Sequence, residues 1–288
     1  MPKLWIFLPA FNEEQALPNL LPRIDETMRE HGYDYEMVVV DDGSNDNTPA
    51  ILAEFEGKLP LQVVRHVLNR GLGETERDGF EHVAMQCHPD DIVVRVEGDD
   101  THGPQYILDL LAKLEQGYDV VNTSRFQPGG GQRGVSAYRG FISRAANMFM
   151  GFVFRIPGTR DYSCGFRAYR GKVLKDAVRV FGNNFIQLRG LGFTSTLETI
   201  VKLHLLGCRF AEVPFMLRYD LKLGPSKMVS SVTTVGYLLM GLLYWWPFGG
   251  WLDQYRGLAE AYREDPEAAV RRFEGRALPA PTAGKLAP

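Results

Sequence analysis

Three carboxylates crowd into four residues, Glu97-Gly98-Asp99-Asp100. Like charges this close repel. A divalent cation relieves the repulsion, because hard cations take carboxylate oxygens and bridge them to substrate phosphates. A solvated acidic turn capping a helix that begins near Pro104, with Asp100 or Thr101 as N-cap, accounts for the same residues equally well. A second acidic turn, Asp41-Asp42-Gly43-Ser44, is explained without a ligand as an Asx turn capping the helix from Thr48. Asn69-Arg70-Gly71-Leu72-Gly73 has glycines that would let the backbone approach a phosphate, but one such turn is weak evidence. Between residues 125 and 170 stand eight arginines and no lysine: Arg125, Arg133, Arg139, Arg144, Arg155, Arg160, Arg167 and Arg170. Arginine's planar fork suits bidentate phosphate contact. Arg144 and Arg155 read as a solvated helix face.

These residues need a frame, and the first half of the chain supplies one. Apolar runs at Leu4–Pro9, Tyr35–Val40, Leu61–Val67, Asp91–Val96 and Tyr118–Thr123 alternate with amphipathic stretches at Glu13–Arg29, Thr48–Phe55, Glu74–Met85 and Pro104–Gln116. That alternation predicts βαβ units and a parallel sheet covered on both faces. Ligands of such sheets bind beyond the carboxyl ends of the strands. Pro9-Ala10-Phe11-Asn12-Glu13, the Asp41 turn and the Glu97 turn all fall there. Beyond residue 125 the pattern changes to a glycine loop (Gly129-Gly130-Gly131), a helix over Ser136–Phe154, a turn at Asp161–Gly165, a helix over Thr196–Leu206 and a strand over Arg209–Arg218.

The 288 residues are 45% hydrophobic and 23% charged with a formal net charge of −3, which are ordinary globular values. No basic excess points to nucleic acid. Cys87, Cys164 and Cys208 form no CxxC pair, which argues against a zinc site and fits reduced thiols in a cytoplasmic protein. The apolar opening at Leu4 is too short for a signal peptide. Val235–Trp251 carries no charge, but it is shorter than the roughly 20 residues of a spanning helix and contains Gly241 and Pro247. Its cluster of Tyr237, Tyr244, Trp245, Trp246, Phe248 and Trp251 suits the headgroup region of a bilayer; packing on the main domain or at a dimer seam accounts for it as well. The expected division is a catalytic domain over 1–228, an interfacial helical segment over 229–256 and a polar, flexible tail over 257–288.

Taken in order, these segments resemble family-2 glycosyltransferases, in particular the dolichol- or polyprenol-phosphate mannosyl and glucosyl synthases. The resemblance is carried by Leu8-Pro9-Ala10-Phe11-Asn12-Glu13-Glu14, Val39-Val40-Asp41-Asp42-Gly43-Ser44, Asn69 to Gly73, Glu97-Gly98-Asp99 with His102 and Pro104, Ser124-Arg125-Phe126, Asp161 to Arg170, and Glu212-Val213-Pro214 followed by Arg218 and Ser226-Lys227-Met228. It implies a GT-A fold and inverting transfer of a hexose from a nucleotide-diphosphate sugar, of the GDP-mannose or UDP-glucose type, with Mg²⁺ or Mn²⁺. By position, Pro9, Phe11, Glu13, Asp41 and Gly98 would border the donor, with Glu97 and Asp99 as metal ligands, Asp99 the closer match to the family. Glu97 stands where the family usually has the first Asp of its DxD motif. Arg125, Arg139, Arg218 and Lys227 are the acceptor and phosphate candidates, for a polyprenyl or dolichyl phosphate. With the aromatic segment at Val235–Trp251, the expected location is cytoplasmic and peripheral on the inner membrane face.

A hydroxyl acceptor would require a general base, and Asp161 and Glu198 are the candidates. A phosphate acceptor is already anionic and needs positioning and charge stabilisation instead. The abundance of arginine favours phosphate over the first rival, a soluble transferase of the same fold acting on a hydroxyl. A nucleotidyltransferase would have a glycine- and lysine- or arginine-rich first loop, which Pro9 to Glu13 lacks. A non-catalytic nucleotide-sugar-binding module has only the replacement at Glu97 in its favour.

Overall fold

The computed structural model describes residues 2–224, 230–245 and 250–274. Its strands are β1 (Leu4–Ala10), β2 (Tyr35–Asp41), β3 (Leu61–Arg65), β4 (Ile92–Arg95), β5 (Val120–Ser124), β6 (Gly131–Arg133), β7 (Arg167–Arg170), β8 (Phe210–Pro214) and β9 (Met216–Arg218). Seven of them form one sheet in the order β3-β2-β1-β4-β7-β5-β8. Every pairing in it is parallel except those of β7. The sheet is covered on both faces, so its strands are apolar throughout, as buried parallel strands must be. Along β1, Trp5 and Phe7 enter one core while Leu4, Ile6 and Leu8 enter the other.

Helices α1 (Leu17–Glu30), α2 (Thr48–Glu56) and α4 (Tyr106–Glu115) fill the second core. Helices α3 (Leu72–Gln86), α6 (Gly171–Phe181) and α7 (Thr194–Leu206) fill the first, together with the inner sides of α5 (Ala137–Phe154) and α8 (Ser230–Tyr244). α1 begins later than its amphipathic pattern suggested. Asn12 takes a left-handed conformation (φ 52°), and residues 11–16 form a turn in which Glu13 N donates to Thr48 Oγ1 at 2.8 Å.

Register aligns the strand ends. Ala10 pairs with Asp41 and Phe7 with Arg95, so the turns after β1, β2 and β4 emerge on one edge. The antiparallel β7, absent from the sequence expectation, completes this edge. It runs the opposite way, with Arg167 facing Arg95 and Asn122. The residues before it, 161–166, therefore arrive at the same edge as the acidic turn.

Two other segments differ from expectation. The strand expected over Arg209–Arg218 is broken at Phe215, whose N–H bonds Ser124 O (3.0 Å) while its carbonyl accepts from Gly131 N (2.9 Å). Beyond that break β9 leaves the main sheet and pairs with β6 from the glycine loop. The segment read as a flexible tail from 257 is helical as far as 273, in α10 (Leu258–Glu264) and α11 (Pro266–Phe273), after the short α9 (Trp251–Gln254). Its charged composition conceals Leu258, Val270 and Phe273, which are buried in the first core. Asp265 caps α11 by accepting from Ala268 N at 3.0 Å. The final residues, 275–288, lie outside the described residues.

Candidate active site

The acidic turn begins where β4 ends. Gly98 belongs there because a Cβ at this position would lie 2.7 Å from Pro9 O, so the turn passes directly over the end of β1. Asp99 Oδ1 accepts from Thr101 Oγ1 (2.6 Å) and Thr101 N (3.2 Å), and Oδ2 is ion-paired with Lys222 Nζ. Burial pushes the Asp99 carboxyl up. Neighbouring His102, the Lys222 ammonium and the hydrogen bonds from Lys222 and Thr101 outweigh it and hold the group at about 2. His102 is buried in a stack on Phe215 (4.8 Å between ring centroids), and that burial depresses its pKa although Glu97 and Asp99 oppose the shift. Asp100, at φ 55°, turns away to pair with Arg23 Nη1 at 2.7 Å.

Glu97 is held differently. Its Oε1 pairs with Arg95 Nη1, and Arg95, itself fully buried, reaches Glu76 Oε1 at 2.8 Å with its other terminal nitrogen. Gly165 makes room for this cluster, since a Cβ there would meet Arg95 Nη1 at 2.0 Å and Glu97 Oε1 at 2.5 Å. The longer stem of Glu97 thus has a function that the family's usual Asp would not perform. Glu97→Asp withdraws the carboxylate from Arg95 and is expected to cost about 1.5–3 kcal/mol, the worth of a charged hydrogen bond. That corresponds to a fall in unfolding midpoint of about 2–5 °C. Thermal unfolding of the variant checks this, and an unchanged midpoint would show the Arg95 pair to be dispensable.

At the carboxyl ends of β1 and β2 the structure brings Pro9, Phe11, Glu13 and Asp41, the residues expected to border the donor, to one edge with Gly98 and Asp99. Pro9 is buried in β1, while Phe11 and Glu13 are half-buried in the turn after it. Asp41 accepts from Ser44 N (3.0 Å), and Asn12 ties the two turns together by donating from its N–H to Ser44 Oγ and accepting from Asn45 N (both 2.9 Å). Asp42 is the anchor of the glycine turn: it accepts from Arg70 N and Gly71 N, both at 2.8 Å, and pairs with His66 Nδ1 at 2.7 Å.

Arg125 and Asp161 form a bidentate pair, with Nε–Oδ2 2.7 Å and Nη2–Oδ1 2.8 Å. Arg125 also donates to Ser163 Oγ at 2.7 Å. Asp161 is completely buried, and its oxygens accept further from the backbone N–H groups of Arg125, Ser163 and Cys164. Glu198, the other candidate base, is likewise buried. It accepts from Gln187 N (2.9 Å) and Leu188 N (3.0 Å) with Lys202 one turn away on α7. Both candidate bases are therefore committed as acceptors to the surrounding backbone.

The two-stranded ribbon of β6 and β9 carries two more arginines. Arg133 and Arg218 are register partners in β6 and β9. Arg218 Nη2 pairs with Asp220 Oδ2 at 2.8 Å, and Arg218 N reaches Thr101 O at 3.3 Å, joining the ribbon to the acidic turn. Arg139, on α5, lies over the Tyr219 ring at 5.8 Å. Lys227 lies outside the described residues, as do Trp246 and Phe248. Between the ribbon and Arg125 opens a cavity of about 360 Å³, lined by Arg125, Arg133, Arg144, Phe126 and Met216 among others. A second cavity of about 200 Å³ shares Phe126 and Arg144 with it.

Above these cavities α5 displays an unexpected outer face. Tyr138, Phe141, Ile142, Met148, Phe149 and Phe152 are exposed at helical spacing, with exposed Arg139, Arg144 and Arg155 alongside. α8 packs against α5, with Phe154 and Tyr244 in edge contact at 5.0 Å. It exposes Val232, Val235, Leu238, Leu239 and Leu242, continued by Trp245. Tyr244 and Trp251 are core residues instead. Periodicity marked α5 as a helix but not which side faced outward. Among the described residues no helix is long and apolar enough to cross a membrane.

Among the described residues no three His, Cys, Asp or Glu side chains converge to hold a metal. Mg²⁺ and its analogues, however, are commonly held by one or two carboxylates together with substrate phosphates. Asp99 fits that mode, because its outer oxygen already accepts a cationic partner in Lys222.

Comparison with known proteins agrees with this geometry. Residues 5–177, more than half of the chain, match the family described as Glycosyl transferase family 2. The chain is 35% identical over 193 residues to the undecaprenyl-phosphate 4-deoxy-4-formamido-L-arabinose transferase of Shewanella sediminis, covering 65% of this chain and 54% of the relative. It is 30% identical over 214 residues to the dolichol-phosphate mannosyltransferase of Pyrococcus furiosus, covering 74% and 56%. The chain thus spans about half the length of the curated relatives it matches. Among solved structures, glucosyl-3-phosphoglycerate synthase of Mycobacterium tuberculosis, in complex with Mn²⁺, UDP and phosphoglyceric acid, superposes with a TM-score of 0.57 at 18% identity, covering 83% of this chain and 78% of that one. S. aureus TarS 1–349 gives 0.52 at 18% identity, covering 92% and 73%. The sheet order with its one reversed strand, the acidic turn at the carboxyl edge and these matches have one common reading: the fold is GT-A, and the chain belongs to glycosyl transferase family 2.

Proposed function

We propose that the protein transfers a hexose from a nucleotide-diphosphate sugar to a polyprenyl phosphate with inversion at the anomeric carbon. The observation that carries this reading is the arginine-lined cavity lying at the foot of an exposed apolar helix face. A phosphate bearing a long hydrocarbon presents that combination: charge for Arg133 and Arg144, and a chain for the α5 surface. The relatives' acceptors, undecaprenyl and dolichol phosphates by name, are of this class. The commitment of Asp161 and Glu198 to backbone donors disfavours a hydroxyl acceptor, which needs a free base.

The acceptor phosphate oxygen attacks the anomeric carbon while the bond to the donor's diphosphate breaks, and no proton need be removed. Arg133, Arg139 and Arg218 hold the acceptor in line, and the turns at Phe11, Glu13 and Asp41 hold the nucleotide. A divalent ion at Asp99, Mg²⁺ or Mn²⁺, would stabilise the charge developing on the leaving diphosphate. Incubation with labelled UDP-glucose and GDP-mannose, each with undecaprenyl phosphate and with and without Mn²⁺, tests the reading. Label should move into organic solvent with one donor. Label that passes only to water-soluble hydroxyl acceptors would overturn it.

The α5 and α8 faces would rest on the bilayer surface, with Arg139, Arg144 and Arg155 against anionic headgroups. The intact protein is then expected to sediment with anionic vesicles. Replacing exposed Phe141 and Phe152 together by Glu should weaken that binding by more than about 100-fold, given roughly 1.5–3 kcal/mol for each buried phenyl ring. Stability should change little, because both side chains are exposed. Equal sedimentation of the variant would remove α5 from the interface.

A further inference from the structure

The turn that follows β9 orders its side chains against hydrophobicity. Leu221 and Leu223 are 48% and 63% exposed, whereas the side chain of Lys222 between them is only 13% exposed. Apolar burial would turn this segment the other way, so electrostatics sets it. The Lys222 ammonium pairs with Asp99 Oδ2 and lies 5.7 Å from the centre of the Tyr219 ring. Glu13, from the turn after β1, adds a second negative field at the same ammonium. Its backbone is tethered within reach of the acidic turn, because Arg218 N donates to Thr101 O at 3.3 Å and Lys222 N to Tyr219 O at 3.3 Å.

We infer that Lys222 is the resident counter-cation of Asp99, exchanged for the divalent ion when the donor binds, and that it then pairs with the donor's diphosphate. The inference rests on the donor reading of this site. An ammonium and a divalent ion in contact with one carboxylate oxygen would repel strongly at that separation, so the two occupy Asp99 alternately. A lysine suits such an exchange: it is a compact charge on a flexible four-carbon stem, able to move without its backbone. When displaced, it remains on the edge where Glu13 and the nucleotide turns converge, and the incoming diphosphate supplies the negative charge it has lost. Lys222 thus neutralises the acid before binding and the leaving group afterwards. This makes metal and nucleotide binding mutually dependent.

The experiment is a Mn²⁺ titration of the full chain, followed by electron paramagnetic resonance, on the wild type, Asp99→Asn, Lys222→Met and Lys222→Arg, together with titrations of UDP and GDP at saturating Mn²⁺. With no competitor, Lys222→Met should bind Mn²⁺ alone about tenfold more tightly than the wild type, while Lys222→Arg should stay near it. The nucleotide that binds the wild type should bind Lys222→Met about fivefold more weakly, as expected for lost coupling. Unchanged or weaker Mn²⁺ binding by Lys222→Met would overturn the exchange, as would unchanged nucleotide affinity. Wild-type Mn²⁺ binding indifferent to Asp99→Asn would fail differently, by removing the metal from this turn altogether. Lys222→Gln, which keeps a polar end, serves in place of Lys222→Met if the latter does not fold.

Discussion

Asp99→Asn is expected to lower sugar transfer by about 10³-fold, equivalent to several kcal/mol of transition-state stabilisation withdrawn with the metal. The fold should persist. Asn preserves the shape and still accepts from Thr101 N and Oγ1 through its oxygen, and Lys222 is free to swing towards solvent from the mobile end of its stem. The change removes one charge at a turn that is one-fifth exposed. Unfolding midpoint and transfer rate measured on the same preparation separate the two effects. Near-normal transfer at saturating Mn²⁺ would show the acidic turn to be only a helix cap. The acid dependence follows with a definite sign. Asp99 is held at about 2 in the folded protein against an ordinary value of 3.8. The stability this contributes is complete above about pH 4 and is lost as pH falls through 2. Any loss of activity between pH 5 and 7 must therefore come from groups other than Asp99, and the profile of the wild type should show no Asp99 limb in that range.

How far this site was visible in the chain depends on the distance over which each part is assembled. β1, β2, β4 and the turns after them were legible because a parallel strand buried on both faces is an apolar run, and its polar carboxyl end stands out beside it. β7 was not. Two of its four residues are arginines, Arg167 and Arg170. Arg167 is buried only because Tyr162 O and Thr196 O accept from it, and Arg170 is half-buried on Leu114 O and Tyr118 O. α6 follows it at Arg170–Gly171 with no intervening loop, so the usual punctuation was missing. Ala-, Glu- and Arg-rich helices share their composition with disordered tails, and only the cores that receive Leu258, Val270 and Phe273 distinguish α10 and α11. Periodicity in α5 announced a helix, yet the exposed side of it carries Phe141, Phe149 and Phe152, an inversion that tertiary structure alone decides. The ion pairs that define the site join residues far apart in the chain, Asp99 with Lys222 and Arg125 with Asp161, and local spacing contains no trace of either.

Arg125→Ala is expected to destabilise the protein by about 3–5 kcal/mol, the cost of leaving a buried charge without its partner. The resemblance to polyprenyl-phosphate synthases made Arg125 an acceptor ligand; its geometry makes it first the counter-ion of Asp161. Both planar nitrogens that face the carboxylate are engaged at 2.7 and 2.8 Å, and Arg125→Lys, which cannot form that fork, should lose part of the same energy. The backbone donors around Asp161 remain in the alanine variant, which places the loss towards the lower end of the range. Against a total stability of about 5–15 kcal/mol this is a large fraction. The pH dependence identifies the cause. In the wild type, burial pushes the Asp161 carboxyl up, but the Arg125 charge and hydrogen bonds, with help from Arg167, outweigh it and hold the pKa below its ordinary value. Its contribution is therefore full above about pH 4 and is lost only as pH falls through the depressed value. Without Arg125 the burial effect is left weakly opposed and the pKa moves up. Protonation then relieves the buried charge, and the variant gains stability relative to the wild type as pH is lowered from 7 to 5. Urea unfolding of both proteins at the two pH values measures the gap. It should narrow at pH 5 if Arg125 serves Asp161. A variant as stable as the wild type, with weakened use of polyprenyl phosphate alone, would instead return Arg125 to the acceptor.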